Sequence, residues 1–200
     1  MNNELKNEPN KTIHIIYHTD PDGYMSCSII QKYLDDNAKL FEEYRKNYIP
    51  MNYDYKTDWI NDITSDDIVY MSDFSLPFDK MKQINDKLNG KRFHWIDHHE
   101  SSINKILNQE NIENKLNNMS YLARVGEAGC ELTWKYLFGE DSQIPPAVTL
   151  IGRYDVWDQE TELHDWENEI LPFIAYCNSK DFDPFNGESA RILPSSIGGR

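Results

Sequence analysis

Three times in the first half of the chain, a short apolar stretch runs into a polar loop and then into a helical pattern. Thr12 to Tyr17, Asp67 to Ser72 and Lys91 to Ile96 are the apolar stretches. Each is short enough for a strand buried on both faces. After the first, Tyr24 to Leu34 carries Ile29, Ile30, Tyr33 and Leu34 at helical spacing. After the second, Pro77 opens a helix that runs to about Leu88, with Gly90 at a left-handed C-cap. A helix from about Ser101 follows the third. Tyr48 to Tyr53, interrupted by Pro50, reads as one more strand. Strand, loop and helix in alternation predict an α/β fold, a mostly parallel β-sheet sandwiched by helices in Rossmann-like layers. In such sheets ligands bind beyond the carboxyl ends of the strands.

The most unusual polar residues fall at that edge. His18, Asp20 and Asp22 follow the first strand at i, i+2 and i+4, a spacing that turns three ligand types to one side of an extended segment. Asp73 closes the next strand, and Asp97-His98-His99 closes another. Taken singly, these are a turn, a helix cap and a solvated loop. Taken in order, each behind an apolar strand, they predict one cluster of carboxylates and imidazoles. Such a cluster is costly without a cation, because crowded carboxylates repel and take up protons. Mixed oxygen and imidazole donors suit manganese, with magnesium, cobalt, iron or zinc as alternatives, and the absence of cysteine disfavours structural zinc. Two such ions about 3.5–4 Å apart, bridged by a carboxylate, make a hydrolytic device for phosphoryl chemistry.

His18-Thr19-Asp20-Pro21-Asp22-Gly23, Ser72-Asp73-Phe74-Ser75 and Asp97-His98-His99 resemble the first three motifs of the DHH phosphoesterase superfamily. That superfamily spans RecJ-type single-strand exonucleases, oligoribonucleases, cyclic-dinucleotide phosphodiesterases, family II pyrophosphatases and exopolyphosphatases. The resemblance covers roughly 12–165. Tyr17–Ser26 and Gly126–Trp134 look most like the oligoribonuclease ("nanoRNase") B-like branch. Asp155 is the best match to the fourth motif, with Asp158 a competitor on another helical face. The resemblance implies one metal held by His18, Asp20 and Asp73, and a second held by Asp22, Asp73, His98 and Asp155, so that Asp73 bridges. It further implies that Asp97 orients a histidine and that His99 meets the substrate phosphate. Arg124 and Arg153 are candidate phosphate contacts, with surface ion pairing as the alternative. His14 and His94 read as packing histidines on strands.

Full-length nucleases of this family add a C-terminal substrate domain marked by a Gly-Gly-Gly-His-like stretch, which Gly198-Gly199-Arg200 does not match. A natural single-domain form and a fragment both remain open. The expected organisation is a flexible lead-in at 1–11, the phosphoesterase domain at 12–165, and a linker-like helix with irregular tail at 166–200, its helix broken at Pro172.

Charge narrows the substrate. The net charge is −14, and no basic run exceeds two residues, as at Lys91-Arg92. That disfavours long duplex or single-stranded nucleic acid. A short oligonucleotide or dinucleotide is the expected partner, because bound cations neutralise the site locally. No apolar run approaches the ~20 residues of a membrane span. Cys27, Cys130 and Cys177 read as buried free thiols, which points to the cytoplasm. The expected activity is manganese-dependent hydrolysis of short oligonucleotides to nucleoside 5′-monophosphates. A cyclic or linear dinucleotide phosphodiesterase and a non-catalytic nucleotide-binding module are the alternatives. Pyrophosphatase activity ranks lower, since that branch spaces its first histidine farther from the aspartates.

Overall fold

The structure is a computed structural model that describes residues 11–90, 92–109, 116 and 119–179. The expected flexible lead-in and most of the expected irregular tail lie outside the described residues. A five-stranded, all-parallel sheet has the order β2-β1-β3-β4-β5. Its strands are β1 (Lys11–His18), β2 (Tyr44–Met51), β3 (Ile68–Ser72), β4 (Phe93–Asp97) and β5 (Ser120–Ala123). The helices are α1 (Pro21–Asp36), α2 (Ala38–Phe41), α3 (Phe78–Lys87), α4 (Glu100–Leu107), α5 (Gly129–Phe138), α6 (Pro146–Asp155) and α7 (Leu171–Ser179). A single 3₁₀ turn lies at Asp58–Asp62 and a π-helical turn at Trp166–Ile170.

The three central strands are buried on both faces, which is why they read as continuous apolar runs. Ile16, Val69, Met71, Phe93 and Trp95 face the layer made by α3 and α4, where Met81, Ile84, Ile103 and Ile106 complete a core. Ile13, Ile15, Tyr17 and Tyr70 pack against Cys27, Ile30 and Leu34 of α1 on the other face. Behind α1, Met25 and Ile29 join Trp134 of α5 and Val148 and Ile151 of α6. Ile170, Ile174 and Cys177 belong to this last cluster, so the packed unit continues past Asp165.

Three expectations need correcting. The second strand begins at Tyr44, four residues earlier than its apolar content suggested, and Pro50 sits inside it opposite Tyr17. An edge strand pairs on one side only, so a residue without an N–H is accommodated there. The short, incompletely buried Ser120–Ala123 strand at the opposite edge carried no strand expectation at all. Pro172 does not break the last helix. The π-helical turn at Trp166–Ile170 runs directly into α7 at Leu171, so the winding changes beside Pro172 while the chain stays helical. Gly90 does adopt the left-handed conformation expected after α3, with φ 75°.

Candidate active site

The strand order reverses between β1 and β3, and crevices at such reversals are where open parallel sheets bind ligands. His18 ends β1, Asp73 follows β3, and Asp97 ends β4. Local chemistry aims each of them. Asp20 is the N-cap of α1 and its Oδ1 accepts the Gly23 N–H at 2.9 Å, with Pro21 in the first turn. Asp73 takes φ 54°, a left-handed conformation rare for aspartate, which turns its side chain off the strand direction. Asp155 comes from the last turn of α6.

Three overlapping groups result, each with its ligand atoms within 4.8 Å of one another: His18, Asp20 and Asp73; Asp73, His98 and His99; Asp22, His98 and Asp155. His18 Nδ1 lies 2.5 Å from Asp20 Oδ2 and 4.0 Å from Asp73 Oδ2. His98 Nε2 lies 3.2 Å from Asp73 Oδ1, 3.3 Å from Asp155 Oδ2 and 3.7 Å from Asp22 Oδ2. Asp73 thus lies within 4.0 Å of both His18 and His98.

The electrostatics show what the cluster lacks. Asp73 is buried, and neither of its carboxylate oxygens accepts a hydrogen bond. Burial raises its pKa well above the usual range, and Asp22, Asp20, Asp155 and Asp97 push it the same way. Asp155 is raised to about 7, chiefly by burial and then by Asp22 and Asp20. Burial holds His98 in its neutral form by lowering its pKa, which leaves a ring nitrogen free to act as a ligand. Burial also works to raise Asp20, but contact with His18 and the Gly23 N–H outweighs it and holds this carboxyl low. A buried carboxylate with no donor, among other carboxylates and neutral imidazoles, is the environment that a divalent cation satisfies. The donor set of carboxylates and imidazoles fits manganese, magnesium or cobalt on ligand chemistry.

Two aspartates do structural work alongside. Asp97 is fully buried. Its Oδ1 accepts from His98 N at 2.8 Å and from His99 Nδ1 at 2.8 Å, and its Oδ2 accepts from the Ser75 hydroxyl. The bond from Asp97 raises the His99 pKa, and it fixes the ring so that Nε2 is the free nitrogen. Asp22 accepts the backbone N–H groups of Gly129 and Cys130 at 2.7 and 2.8 Å. It therefore anchors the start of α5 as well as facing His98.

Sequence reasoning did not find Gly129. A Cβ there would lie 2.6 Å from Asp73 Cβ and 2.9 Å from Asp22 Oδ2, so only glycine lets α5 approach. Nor did it find Glu131, whose Oε2 accepts the Ala128 N–H at 3.1 Å and which pairs with Arg153. Arg153 also meets Asp158 at 3.1 Å, and Arg124 pairs with Glu127 and Glu140, both at 2.6 Å. Both guanidinium groups are engaged by carboxylates, the ion-pairing alternative that the sequence also offered. His94 stacks on Tyr70 and meets the Tyr136 hydroxyl at 2.6 Å, and His14 lies buried in β1 beside Asp67, both as packing histidines.

Residues 12–151 match the family model described as the DHH family, N-terminal domain. The chain belongs to this family. The match ends before Asp155, and it is the geometry around His98 that brings that residue into the cluster. Among solved structures, an uncharacterized protein from Helicobacter pylori G27 superposes with a TM-score of 0.52 at 15% sequence identity. The similarity covers 75% of this chain and 45% of that one, and it bears on the fold alone. No curated protein matches the chain. No helix among the described residues is long and apolar enough to cross a membrane.

Proposed function

We propose that the protein hydrolyses phosphodiester bonds in short oligonucleotides, releasing nucleoside 5′-monophosphates, with two divalent cations, manganese foremost, at the acidic cluster. The observation that carries this reading is Asp73: buried, without a hydrogen-bond donor, and set between His18 with Asp20 and His98 with Asp155. In this reading one ion is held by His18, Asp20 and Asp73, the other by Asp22, Asp73, His98 and Asp155. Bound there, the cations supply an activated water and neutralise charge on the phosphoryl oxygens.

The chain's own groups account for the remaining steps. Water attacks phosphorus, and the bond to the ribose 3′ oxygen breaks, which leaves the phosphate on the 5′ side of the released nucleoside. His99, whose pKa is raised by its bond to Asp97, donates from Nε2 to the departing oxygen. Asp97 keeps that ring in place throughout, and Asp22 keeps α5 against the site. The net charge of −14 supports a short substrate over a long strand, and the buried free thiols support a cytoplasmic setting.

The test is product analysis with manganese on di- to pentaribonucleotides, linear and cyclic dinucleotides, pyrophosphate and a long single strand. Mononucleotides from the short substrates alone are expected. Asp73→Ala should abolish turnover; retained turnover in that variant would remove Asp73 from the bridging position.

A further inference from the structure

A cavity of about 630 Å³ opens beside the acidic cluster, lined by the loops after β2 and β3 and by α4. His18 and His99 both line it, so it begins where the reacting phosphate sits. Much of its wall is aromatic. Tyr53 meets His18 edge-on at 5.7 Å, Phe74 lies 6.1 Å from His18, and Tyr55 stands edge-on to Phe74 at 5.6 Å. Tyr53 is 83% exposed, so it fills no core. Phe74 is buried at the base of this wall and Tyr55 is half-buried, so Tyr53 is the ring that offers an open face for stacking to a base, whichever base it is.

The cavity also holds a cation. Lys105 of α4 lines it, and among the described residues no carboxylate pairs with its ammonium. Elsewhere the cations near the site are neutralised: Lys135 by Glu127, Arg153 by Glu131 and Arg124 by Glu140. On so acidic a chain, an ammonium with no carboxylate partner among the described residues, beside a stacking wall, marks a position for a second anionic group.

We propose that this cavity is a nucleoside subsite: the base of the nucleotide undergoing cleavage stacks on Tyr53, with Tyr55 and Phe74 forming the apolar wall beside it, and Lys105 contacts the neighbouring phosphate. Its volume suits one nucleotide unit, not a strand, in keeping with a short substrate. Pyrophosphate, which has no base, gains nothing from such a wall. The proposal rests on the phosphodiesterase reading for its place in catalysis, but binding tests it independently of turnover.

The experiment is calorimetry on the full chain with manganese. The probes are adenosine 5′-monophosphate, ribose 5-phosphate and the dinucleotide pApA carrying a non-hydrolysable linkage. The wild type is expected to bind the nucleotide about tenfold tighter than the sugar phosphate, a ratio typical of one stacked base. Tyr53→Ala should remove most of that ratio, and Tyr53→Phe should keep it. Lys105→Gln should weaken the dinucleotide more than the mononucleotide. Both side chains lie at the cavity surface, so folding is not at stake. Equal affinity for nucleotide and sugar phosphate in the wild type overturns the proposal, as does a Tyr53→Ala variant that keeps base selectivity. Base selectivity lost with Tyr53, in a protein that cleaves no phosphodiester, upholds the subsite and removes the phosphodiesterase reading. Cleavage of dinucleotides with a KM indifferent to Tyr53→Ala does the reverse.

Discussion

At Gly129 a single methyl group would reach into the space that Asp73 and Asp22 occupy. Because the Gly129 N–H also donates to Asp22, a shift of this backbone to relieve the clash breaks the bond that holds α5. Gly129→Ala is therefore expected to weaken manganese binding at least tenfold and to lower Tm, measured by metal titration and thermal melting. Asp97→Asn should act on His99 instead. Removing the charge that favours the imidazolium should return the His99 pKa toward its ordinary value, which ring-proton NMR reads directly. Turnover should fall about 10–100-fold, the usual effect of losing an outer partner of a site histidine. The sequence showed the aspartates and histidines of the cluster because they follow strands in a fixed local pattern. It could not show Gly129, because that glycine is defined by residues far along the chain, Asp22 and Asp73, that meet it only in space. Nor could it name the carboxylate partners of Arg124 and Arg153, which sit on other turns or other helices.

Between elements, what was legible depended on burial. The strands β1, β3 and β4 have neighbours on both sides and helices on both faces, so every position favours apolar residues. The edge strands pair on one side only: β2 keeps polar residues and β5 is only four residues long, so their apolar signal is displaced or too short to read. Helices α5 and α6 are tied by the Glu131–Arg153 pair, and Gly152 makes room for it: a Cβ there would lie 2.6 Å from Glu131 Cδ. Burial raises the Glu131 pKa, against the pull of Arg153 and the Ala128 N–H. Leaving Glu131 without Arg153 strands a buried carboxylate. Arg153→Met is expected to cost about 3 kcal/mol in urea unfolding with an unchanged m-value. Because the pair joins the start of α5 to the helix that carries Asp155, the variant should also lose metal affinity.

For the molecule as a whole, the acidic cluster sets stability against function. The folded-state pKa of Asp155 is raised to about 7 from 3.8. Between those values the folded, metal-free protein binds more protons than the unfolded chain, so stability falls as pH rises through the window. Below about pH 4 the carboxyl is protonated in both states and the penalty vanishes; above pH 7 it is fully present. Asp155→Asn keeps the shape and removes the charge. In chelator at pH 8 it is expected to be more stable than the wild type by about 1 kcal/mol, because the Asp155 side chain is 28% exposed and solvent screens much of the penalty. At pH 4 the two should unfold at nearly the same denaturant concentration. His94 pulls the other way over part of this range: burial lowers it to about 4, so stability is lost as pH falls from 6.5. It is present in both proteins, and the difference between them cancels it. Adding manganese at pH 8 should invert the ranking, because the cation stabilises only the protein that keeps its ligands. Denaturant midpoints of the two proteins, with chelator and with manganese at both pH values, read every term. A variant no more stable than wild type in chelator at pH 8 would mean that Asp155 carries no buried charge.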